Sequence, residues 1–236
     1  MVWGMSAVTT TITDSVAVVR IDDGKANALS HTVIEQLHAA LTQAHAEATS
    51  VCFIGREGKL CAGFDLSVMT SGPDATRGLV KAGGELLMRL YGHPQPTVVA
   101  CTGHALAAGA LFLLSCDTRI GVEGTSKIGL NETAIGMGLP VYGVELARER
   151  LSKRHFTASA LQARIYDPVG ALEAGYLDQV VSATELEDVA ISEARRLGAF
   201  RPQAYTLTKS QSRSAVIRYV LDGLDADMAN IVAPAV

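Results

Sequence analysis

Glu132 is the residue whose surroundings point most directly to proton chemistry. It is the single charged residue of the segment IGLNETAIGM (128–137), and the nearest cation before it is Lys127. A carboxylate with few polar neighbours is poorly solvated, which raises its pKa towards a value at which it can take up and return a proton near neutral pH. The other interpretation is a solvated loop glutamate, which is the commoner situation for a single Glu. Glu132 is therefore a candidate acid–base.

A stretch upstream of Glu132 could hold a negatively charged oxygen. Residues Ala105 to Ser115 are rich in Ala and Leu and carry no charge, which predicts a buried helix. This helix follows a β-branched strand, Thr97 to Ala100, that ends at Gly103. A helix that starts on a small-residue turn presents unpaired backbone N–H groups and the positive end of its dipole. With a carboxylate in apolar company, such N–H groups could form and hold an enolate.

The elements that must position these groups alternate between strand and helix patterns. Residues 9–21 predict a hairpin with a turn at Asp14 and Ser15, and Ser30 suits the cap of the helix that follows. Further strands are expected at 51–55, 118–122 and 179–181. Helical patterns dominate after Leu139, at 142–151, 155–164, 168–174, 184–198 and 202–221. This order predicts an α/β core with repeated winding and a helical C-terminal portion.

Three separated motifs give the chain a family resemblance. HALAAGALFLLSCD followed by IGLNETAIGM resembles the core of the crotonase (enoyl-CoA hydratase/isomerase) superfamily. KLCAGFDLSVM at 59–69 resembles the first oxyanion-hole segment of that family, and KANALS at 25–30 resembles its early loop on the coenzyme A side. The motifs occur in the family's order, and the resemblance covers about residues 10–210. Within the family, IGLNET at 128–133 is most similar to the Δ3,Δ2-enoyl-CoA isomerases.

The resemblance implies a fold and a division of the chain. The implied fold is a crotonase-like α/β spiral of repeated ββα units with a helical C-terminal portion. We expect residues 8–190 to form the spiral core with the active site, and 191–236 to form a helical oligomerisation portion. Apolar residues of 202–221 fall on more than one helix face, which would leave apolar surface exposed in a monomer. The resemblance implies a homotrimer or a hexamer of paired trimers.

The resemblance also implies roles for individual residues. The backbone N–H groups of Phe64 and Ala108 would form an oxyanion hole, and Glu132 would be the catalytic acid–base. The family usually has three glycines where this chain has Ala107-Ala108-Gly109, so we expect Ala108, which tolerates fewer backbone angles, to alter the shape of the hole. The coenzyme A part of the substrate would meet residues of the two earlier motifs and one C-terminal lysine: Lys25, Ala26, Ala62, Asp65, Leu66 and Lys209.

Leu111 indicates which reaction of the family to expect. Hydratases of the family carry a second glutamate there, which cooperates with the first to activate and position water. Leucine can do neither, and the isomerases likewise have an apolar residue at this place, so Leu111 is expected on the substrate site as an apolar residue. The reaction that fits is a 1,3-proton shift that converts a 3-enoyl-CoA into a 2-enoyl-CoA through a dienolate.

Other classes of function remain open or are disfavoured. The chain could be an enoyl-CoA hydratase or another crotonase-type acyl-CoA enzyme, or a catalytically silent acyl-CoA-binding member. The sequence has no G-x-G-x-x-G and no G-x-S-x-G, which disfavours a dinucleotide enzyme and a serine hydrolase. No metal or cofactor is expected apart from coenzyme A in the substrate. The histidines His31, His38 and His45 lie seven residues apart, too far along one helix to share a metal ion.

Charge and cysteine usage set expectations for partners and location. A net charge of −4 without a Lys/Arg cluster argues against nucleic-acid and anionic-membrane surfaces. The apolar run Val98 to Cys116 is almost long enough to span a bilayer, but it contains Gly103 and His104 and charged residues follow it at once, which favours a soluble core element. The four cysteines form no C-x-x-C pair, and the N-terminus has no secretory pattern, so we expect buried free thiols and a cytoplasmic location. The family resemblance implies a role in fatty acid metabolism.

Overall fold

The computed structural model describes residues 6–232, which fold around two β-sheets. The larger sheet has six strands, in the spatial order β1 (Val8–Thr13), β2 (Val16–Ile21), β3 (Ser50–Gly55), β5 (Thr97–Cys101), β7 (Thr118–Val122) and β9 (Gln179–Val181). The smaller sheet has the order β4 (Gly58–Cys61), β6 (Gly103–Leu106) and β8 (Ile128–Gly129). Strands β1 and β2 form an antiparallel hairpin, and the other neighbouring strands of both sheets pair in parallel.

Helices follow the strands and cover both sheets. In chain order they are α1 (His31–Glu47), α2 (Leu66–Met69), α3 (Pro73–Tyr91), α4 (Ala108–Ser115), α5 (Val141–Arg150), α6 (Lys153–Ala160), α7 (Pro168–Ala174), α8 (Leu186–Gly198) and α9 (Pro202–Met228), with a 3₁₀ turn at Thr133–Ile135. The helices predicted after Leu139 are confirmed to within a few residues, except that α9 continues to Met228. None of the described helices is long and apolar enough to cross a membrane.

The chain winds as a spiral with one strand in each sheet per turn. The pairs β3/β4, β5/β6 and β7/β8 each place their first strand in the larger sheet and their second in the smaller sheet, and a helix follows each pair. The predicted α/β spiral of ββα units is thus confirmed. Successive turns stack so closely at Gly103 that a Cβ there would lie 2.0 Å from the carbonyl carbon and oxygen of Gly58. Only glycine therefore fits at this position.

One predicted helix start is wrong. The helix expected from Ala105 begins at Ala108, because Gly103–Leu106 forms β6 and pairs with β4 and β8. The Ala and Leu content of this stretch favours a helix, but pairing with two neighbouring strands overrides that local preference. The predicted hairpin is confirmed, with Asp14 and Ser15 both at positive φ (49° and 64°) as a tight two-residue turn requires.

Helix α8 belongs to the core of the spiral. Its apolar face packs on the larger sheet, with Leu186, Ala190, Ala194 and Leu197 against side chains of β2, β3, β5 and β7. The expected division of the chain at 190/191 lies inside this helix, and the last four residues of the expected C-terminal portion lie outside the described residues. Helix α9 packs on α3 and α5 and contributes Val220, Leu224 and Met228 to the main core.

The cysteines behave as the sequence predicts. Cys52, Cys61, Cys101 and Cys116 are free and buried. Burial raises the pKa of the Cys52, Cys61 and Cys101 thiols to about 12, which keeps them in the unreactive neutral form.

A buried carboxylate ties α9 to the larger sheet. Asp117, just before β7, is bound by four donors at 2.7–2.9 Å: Lys209 Nζ, Arg213, Tyr205 OH and the Thr97 N–H. Burial alone would raise the pKa of Asp117, but Lys209 and Arg213 outweigh burial and hold this pKa below its ordinary value. The cluster therefore contains a charged carboxylate that two cations from α9 share.

Removing this carboxylate tests how strongly the cluster stabilises the fold. Asp117→Asn leaves two cations in a buried setting without their counter-charge, so we expect the free energy of unfolding to fall by about 3–5 kcal/mol. Urea denaturation followed by circular dichroism measures the change. The matched control is Asp74→Asn, whose carboxylate is fully exposed beside Arg77 in the first turn of α3, and it should lower stability by less than about 1 kcal/mol. Equal stability of Asp117→Asn and the parent would show that the cluster does not hold α9.

Candidate active site

A cavity of about 200 Å³ lies where the carboxyl ends of β4, β6 and β8 meet. Because these strands are parallel, the segments that follow them leave the sheet at one edge. Those segments are 62–65 after β4, residue 107 after β6 and 130–132 after β8. The cavity lining is made by these segments and by nearby helices: Ala62, Gly63, Phe64, Leu66, Met69, Val80, Ala107, Asn131, Glu132, Ile135, Met137, Pro140 and Tyr142.

Glu132 is the one carboxylate among the described residues that line this cavity. Its side chain is 6% exposed, and its Oε2 has no hydrogen-bond partner within residues 6–232. Burial raises the pKa of this carboxyl to about 7, although the backbone N–H groups of Glu132 and Asn131 partly oppose the shift. A carboxyl with this pKa can both accept and return a proton at neutral pH.

Asn131 adds a second unpartnered polar atom beside Glu132. Asn131 also lines the cavity, and its Oδ1 is buried without a hydrogen bond to any described residue. Buried polar atoms without partners are rare in folded proteins and call for an explanation. A bound molecule in the cavity would supply the missing partners.

Two backbone N–H groups next to the cavity are free to bind an oxygen. Neither the Phe64 N–H nor the Ala108 N–H, which is the first of α4, donates a hydrogen bond within the described chain. The segment around Phe64 is fixed by Leu29, whose N–H donates to the Gly63 carbonyl (2.9 Å) and whose carbonyl accepts from the Asp65 N–H (3.1 Å). Preorganised N–H groups of this kind are what an oxyanion hole requires.

The strained residue of the run Ala107-Ala108-Gly109 is Ala107. It has φ 49° and ψ −124°, a region that favours glycine, whereas Ala108 belongs to the helix. Such a conformation costs about 1–3 kcal/mol for a residue with a side chain. The alanine that costs free energy where the family has glycine is therefore Ala107, one residue before Ala108, the position that the sequence suggested. Gly109 cannot vary in the same way, because a Cβ there would lie 2.1 Å from the Cys61 carbonyl oxygen.

The structure places Leu111 in the core rather than on the cavity lining. Its side chain is 1% exposed, and its Cδ1 lies 3.3 Å from the point where Gly143 of α5 would carry a Cβ. It follows Ala108 by one turn of α4. The expected contact between Leu111 and the substrate is therefore not found among the lining residues, while the absence of a second carboxylate at this position stands.

The residues expected to bind coenzyme A lie on both sides of the segment 62–67. Ala62 and Leu66 line the cavity described above, with Leu66 exposed at its mouth. Lys25, Ala26 and Asp65 line a neighbouring cavity of about 470 Å³, and the Ala62 N–H donates to the Ala26 carbonyl (3.1 Å). The fold thus brings these five residues together around the backbone segment 62–67.

Asn27 organises this region, and the sequence reasoning did not identify it. Its side chain is fully buried, and its Nδ2 donates to the carbonyls of Ile21 (2.7 Å) and Leu60 (3.2 Å). Its Oδ1 accepts from the Asp23 N–H (2.9 Å), and its φ of 53° is one that Asn tolerates better than most residues. The side-chain hydrogen bonds of Asn27 therefore hold the loop that contains Lys25 against β2 and β4.

Lys209, expected near a phosphate of coenzyme A, lies elsewhere. Its ammonium bonds Asp117 Oδ2 at 2.7 Å and the Gln95 carbonyl at 3.1 Å, and the residue is 8% exposed. It lines neither of the two cavities around segment 62–67. The expectation for Lys209 is corrected accordingly, because its charge is already used by a buried carboxylate.

Known proteins resemble this chain in sequence and in structure. A family model described as enoyl-CoA hydratase/isomerase matches residues 11–234. Human mitochondrial enoyl-CoA delta isomerase 1 is 30% identical over 223 residues, which is 92% of this chain and 74% of that protein. A probable enoyl-CoA hydratase of Bacillus subtilis (strain 168) is 30% identical over 200 residues, which is 83% of this chain and 76% of that protein.

A solved structure agrees over nearly the whole length. An enoyl-CoA hydratase/isomerase family protein from Pseudomonas syringae has a TM-score of 0.93 and 42% sequence identity, and the match covers 96% of this chain and 98% of that chain. The match includes both sheets and the segments around the cavity, since it spans almost all of the described residues. The chain therefore belongs to the enoyl-CoA hydratase/isomerase family, within the crotonase superfamily.

Proposed function

We propose that this enzyme isomerises 3-enoyl-CoA thioesters to 2-enoyl-CoA thioesters. The relatives do not choose between reactions, since the human protein is named an isomerase and the Bacillus subtilis protein a probable hydratase. The observation that carries the proposal is that Glu132 is the one carboxylate among the described residues lining the cavity. A proton shift between two carbons needs one carboxyl, whereas hydration also needs a group that positions and activates water.

The proposed mechanism uses the free N–H groups and the raised pKa together. The thioester carbonyl oxygen accepts hydrogen bonds from the N–H groups of Phe64 and Ala108. Glu132, as a carboxylate, removes a proton from C2, and the electron pair moves to the carbonyl oxygen to give a dienolate. The Glu132 carboxyl then returns the proton to C4, which leaves the double bond between C2 and C3. One group performs both transfers because its pKa of about 7 suits both directions.

The rest of the lining offers little to hold a reacting water. Most of the other side chains are apolar, among them Met69, Val80, Ile135 and Met137. The Tyr142 hydroxyl is already bonded to the Val80 carbonyl at 3.1 Å. An ordered water needs two to four polar partners, and Asn131 beside Glu132 is the remaining polar side chain of the described lining. This surrounding favours proton transfer over hydration.

The coenzyme A part of the substrate is proposed to lie along the neighbouring cavity, past Ala62, Asp65 and Leu66. Lys25 and Ala26 line its other side, and Lys25 is exposed. An exposed ammonium pairs with a phosphate as a point charge, so its contribution would be modest and would weaken with salt. Coenzyme A enters here as part of the substrate, and no further cofactor takes part in the proposed reaction.

The oligomeric state and the cellular location of the enzyme are also proposed. Helix α9 exposes Leu207, Tyr219 and Leu221, each at least 43% accessible. Exposed apolar side chains on one element are typical of interfaces, which supports a homotrimer or hexamer built through this helix. Buried free thiols are compatible with a cytoplasmic enzyme of fatty acid metabolism.

The reaction itself is tested by comparing two substrates. Conversion of 3-enoyl-CoA to 2-enoyl-CoA, followed by the ultraviolet absorbance of the conjugated thioester, should proceed at a measurable rate. Hydration of 2-enoyl-CoA, followed by loss of the same absorbance, should be slower by about 10²-fold or more, because the described lining of the cavity has no second carboxyl. Hydration that is faster than isomerisation would identify the protein as a hydratase. Binding of coenzyme A esters without either reaction would identify a silent member.

The role of Glu132 is tested by removing its charge without changing its shape. Glu132→Gln should bind acyl-CoA like the parent and lose about 10²–10⁴-fold in kcat, the usual size of a general acid–base contribution. Glu123→Gln is the matched control, since Glu123 is an exposed glutamate of the same β7–β8 region. Full activity of Glu132→Gln would show that the catalytic carboxyl lies elsewhere.

The raised pKa of Glu132 predicts the pH profile. The free enzyme must hold Glu132 as a carboxylate to remove the C2 proton, so the protonated form that dominates below pH 7 is inactive. We expect kcat/KM to be constant above about pH 8 and to fall towards tenfold per pH unit below about pH 7. A profile that stays flat down to pH 5 would indicate an ordinary, solvated carboxyl and would contradict the desolvated site.

A further inference from the structure

The size of the cavity limits what it can hold beside Glu132. Its volume is about 200 Å³. An engineered apolar cavity of about 150 Å³ in another protein binds benzene, which has six non-hydrogen atoms, so about eight non-hydrogen atoms fit here. In the proposed mechanism the thioester carbonyl occupies part of this space, because Phe64, whose N–H is free, lines it. The remainder accepts an acyl chain of about four to six carbons in total.

The wall formed by Tyr142 is rigid. Its ring is fully buried, and its hydroxyl is bonded to the Val80 carbonyl of α3. On the side facing α3 the ring lies directly on Gly84: a Cβ there would be 2.7 Å from the ring Cε1 and 3.3 Å from Leu224 Cδ1 of α9. Tyr142 therefore has no space to retreat towards α3, because the α3 backbone at Gly84 stands directly behind its ring.

Two adjacent glycines in the middle of α3 make this packing possible. Gly84 accommodates Tyr142, and Gly83 accommodates Phe64, whose ring Cε1 would be 2.3 Å from a Cβ on Gly83. Glycine inside a helix is unfavourable relative to alanine, so a pair of them calls for a packing reason. Both rings line the cavity, and the glycine pair therefore sets how far these two walls stand from Glu132.

We propose that the enzyme is specific for short-chain enoyl-CoA thioesters of about four to six acyl carbons, and that Tyr142, seated on Gly84, is the wall that sets this limit. The proposal rests on the proposed function for the reaction, but it concerns the fit of the acyl chain. It follows from the small volume, the immobile ring and the close contact with α3. Longer chains would have to displace a buried tyrosine or remain partly in water.

Binding of unreactive substrates tests the chain-length limit independently of the reaction. Saturated acyl-CoA esters from two to twelve carbons are titrated by calorimetry against the parent protein. Each methylene up to six carbons should strengthen binding about fourfold, as burial of a methylene does, and chains beyond eight carbons should bring no further gain. Affinity that keeps rising to twelve carbons would overturn the proposal. Because no proton is transferred, a failure of the isomerase assay leaves this result unaffected.

Substitutions at the wall should shift the limit in opposite directions. Gly84→Ala pushes Tyr142 into the cavity and should weaken hexanoyl-CoA binding about tenfold while leaving acetyl-CoA binding unchanged. Gly78→Ala, on the exposed side of the same helix where an added Cβ meets no atom within 4 Å, should keep the parent profile. Met137→Ala removes a lining side chain and should strengthen octanoyl-CoA binding about tenfold.

The paired variants keep the test decisive. If Gly84→Ala does not fold, as circular dichroism would show, the gain expected from Met137→Ala still decides whether the cavity volume limits the chain. If Gly84→Ala folds and keeps the parent profile, Tyr142 is not the limiting wall. If Met137→Ala also keeps it, the acyl chain does not occupy this cavity.

Discussion

Parallel pairing of β4, β6 and β8 is the constraint on which the rest of the site depends. Three segments that are far apart in sequence leave these strands at one edge, and this edge is where Phe64, Ala107 and Glu132 meet. The pairing requires close backbone approach, which Gly103 provides against Gly58. A side chain at that contact would separate the strands and move the free N–H groups away from the carboxylate.

The buried carboxylates of Asp117 and Glu132 have different surroundings, which shift their pKa values in opposite directions. Asp117 has two cations and two further donors around it, so it stays charged and binds α9 to the sheet. Glu132 is also buried, but no cation among the described residues offsets its burial, and its pKa rises from 4.5 to about 7. That rise corresponds to about 3 kcal/mol of lost stability for the charged form at neutral pH. Glu132 is therefore poorly placed for stability and well placed for proton transfer.

One strained backbone position and two unpartnered oxygens lie together at the cavity. Ala107 adopts a backbone conformation that suits glycine, and Asn131 Oδ1 and Glu132 Oε2 lack partners within the described chain. Elsewhere in the described chain both situations occur: Asn27 and Asp117 are held by several hydrogen bonds each, whereas Ser50 Oγ, Thr102 Oγ1 and Tyr176 OH also lack partners. Unfavourable features of this kind persist where the surrounding fold over-determines them, and they are typical of binding and catalytic sites.

The sequence by itself determined the strands of the larger sheet, the helices after Leu139, the family, and Glu132 as an acid in apolar company, because these depend on local composition and on short motifs. Tertiary structure alone decided that Gly103–Leu106 is a strand, that Ala107 carries the strain, and that Leu111 points into the core. It also decided which group Lys209 binds, since its partner Asp117 is 92 residues away in the sequence. A lysine that suits a phosphate equally suits a buried carboxylate, and only the packing of α9 on the sheet brings that carboxylate within reach.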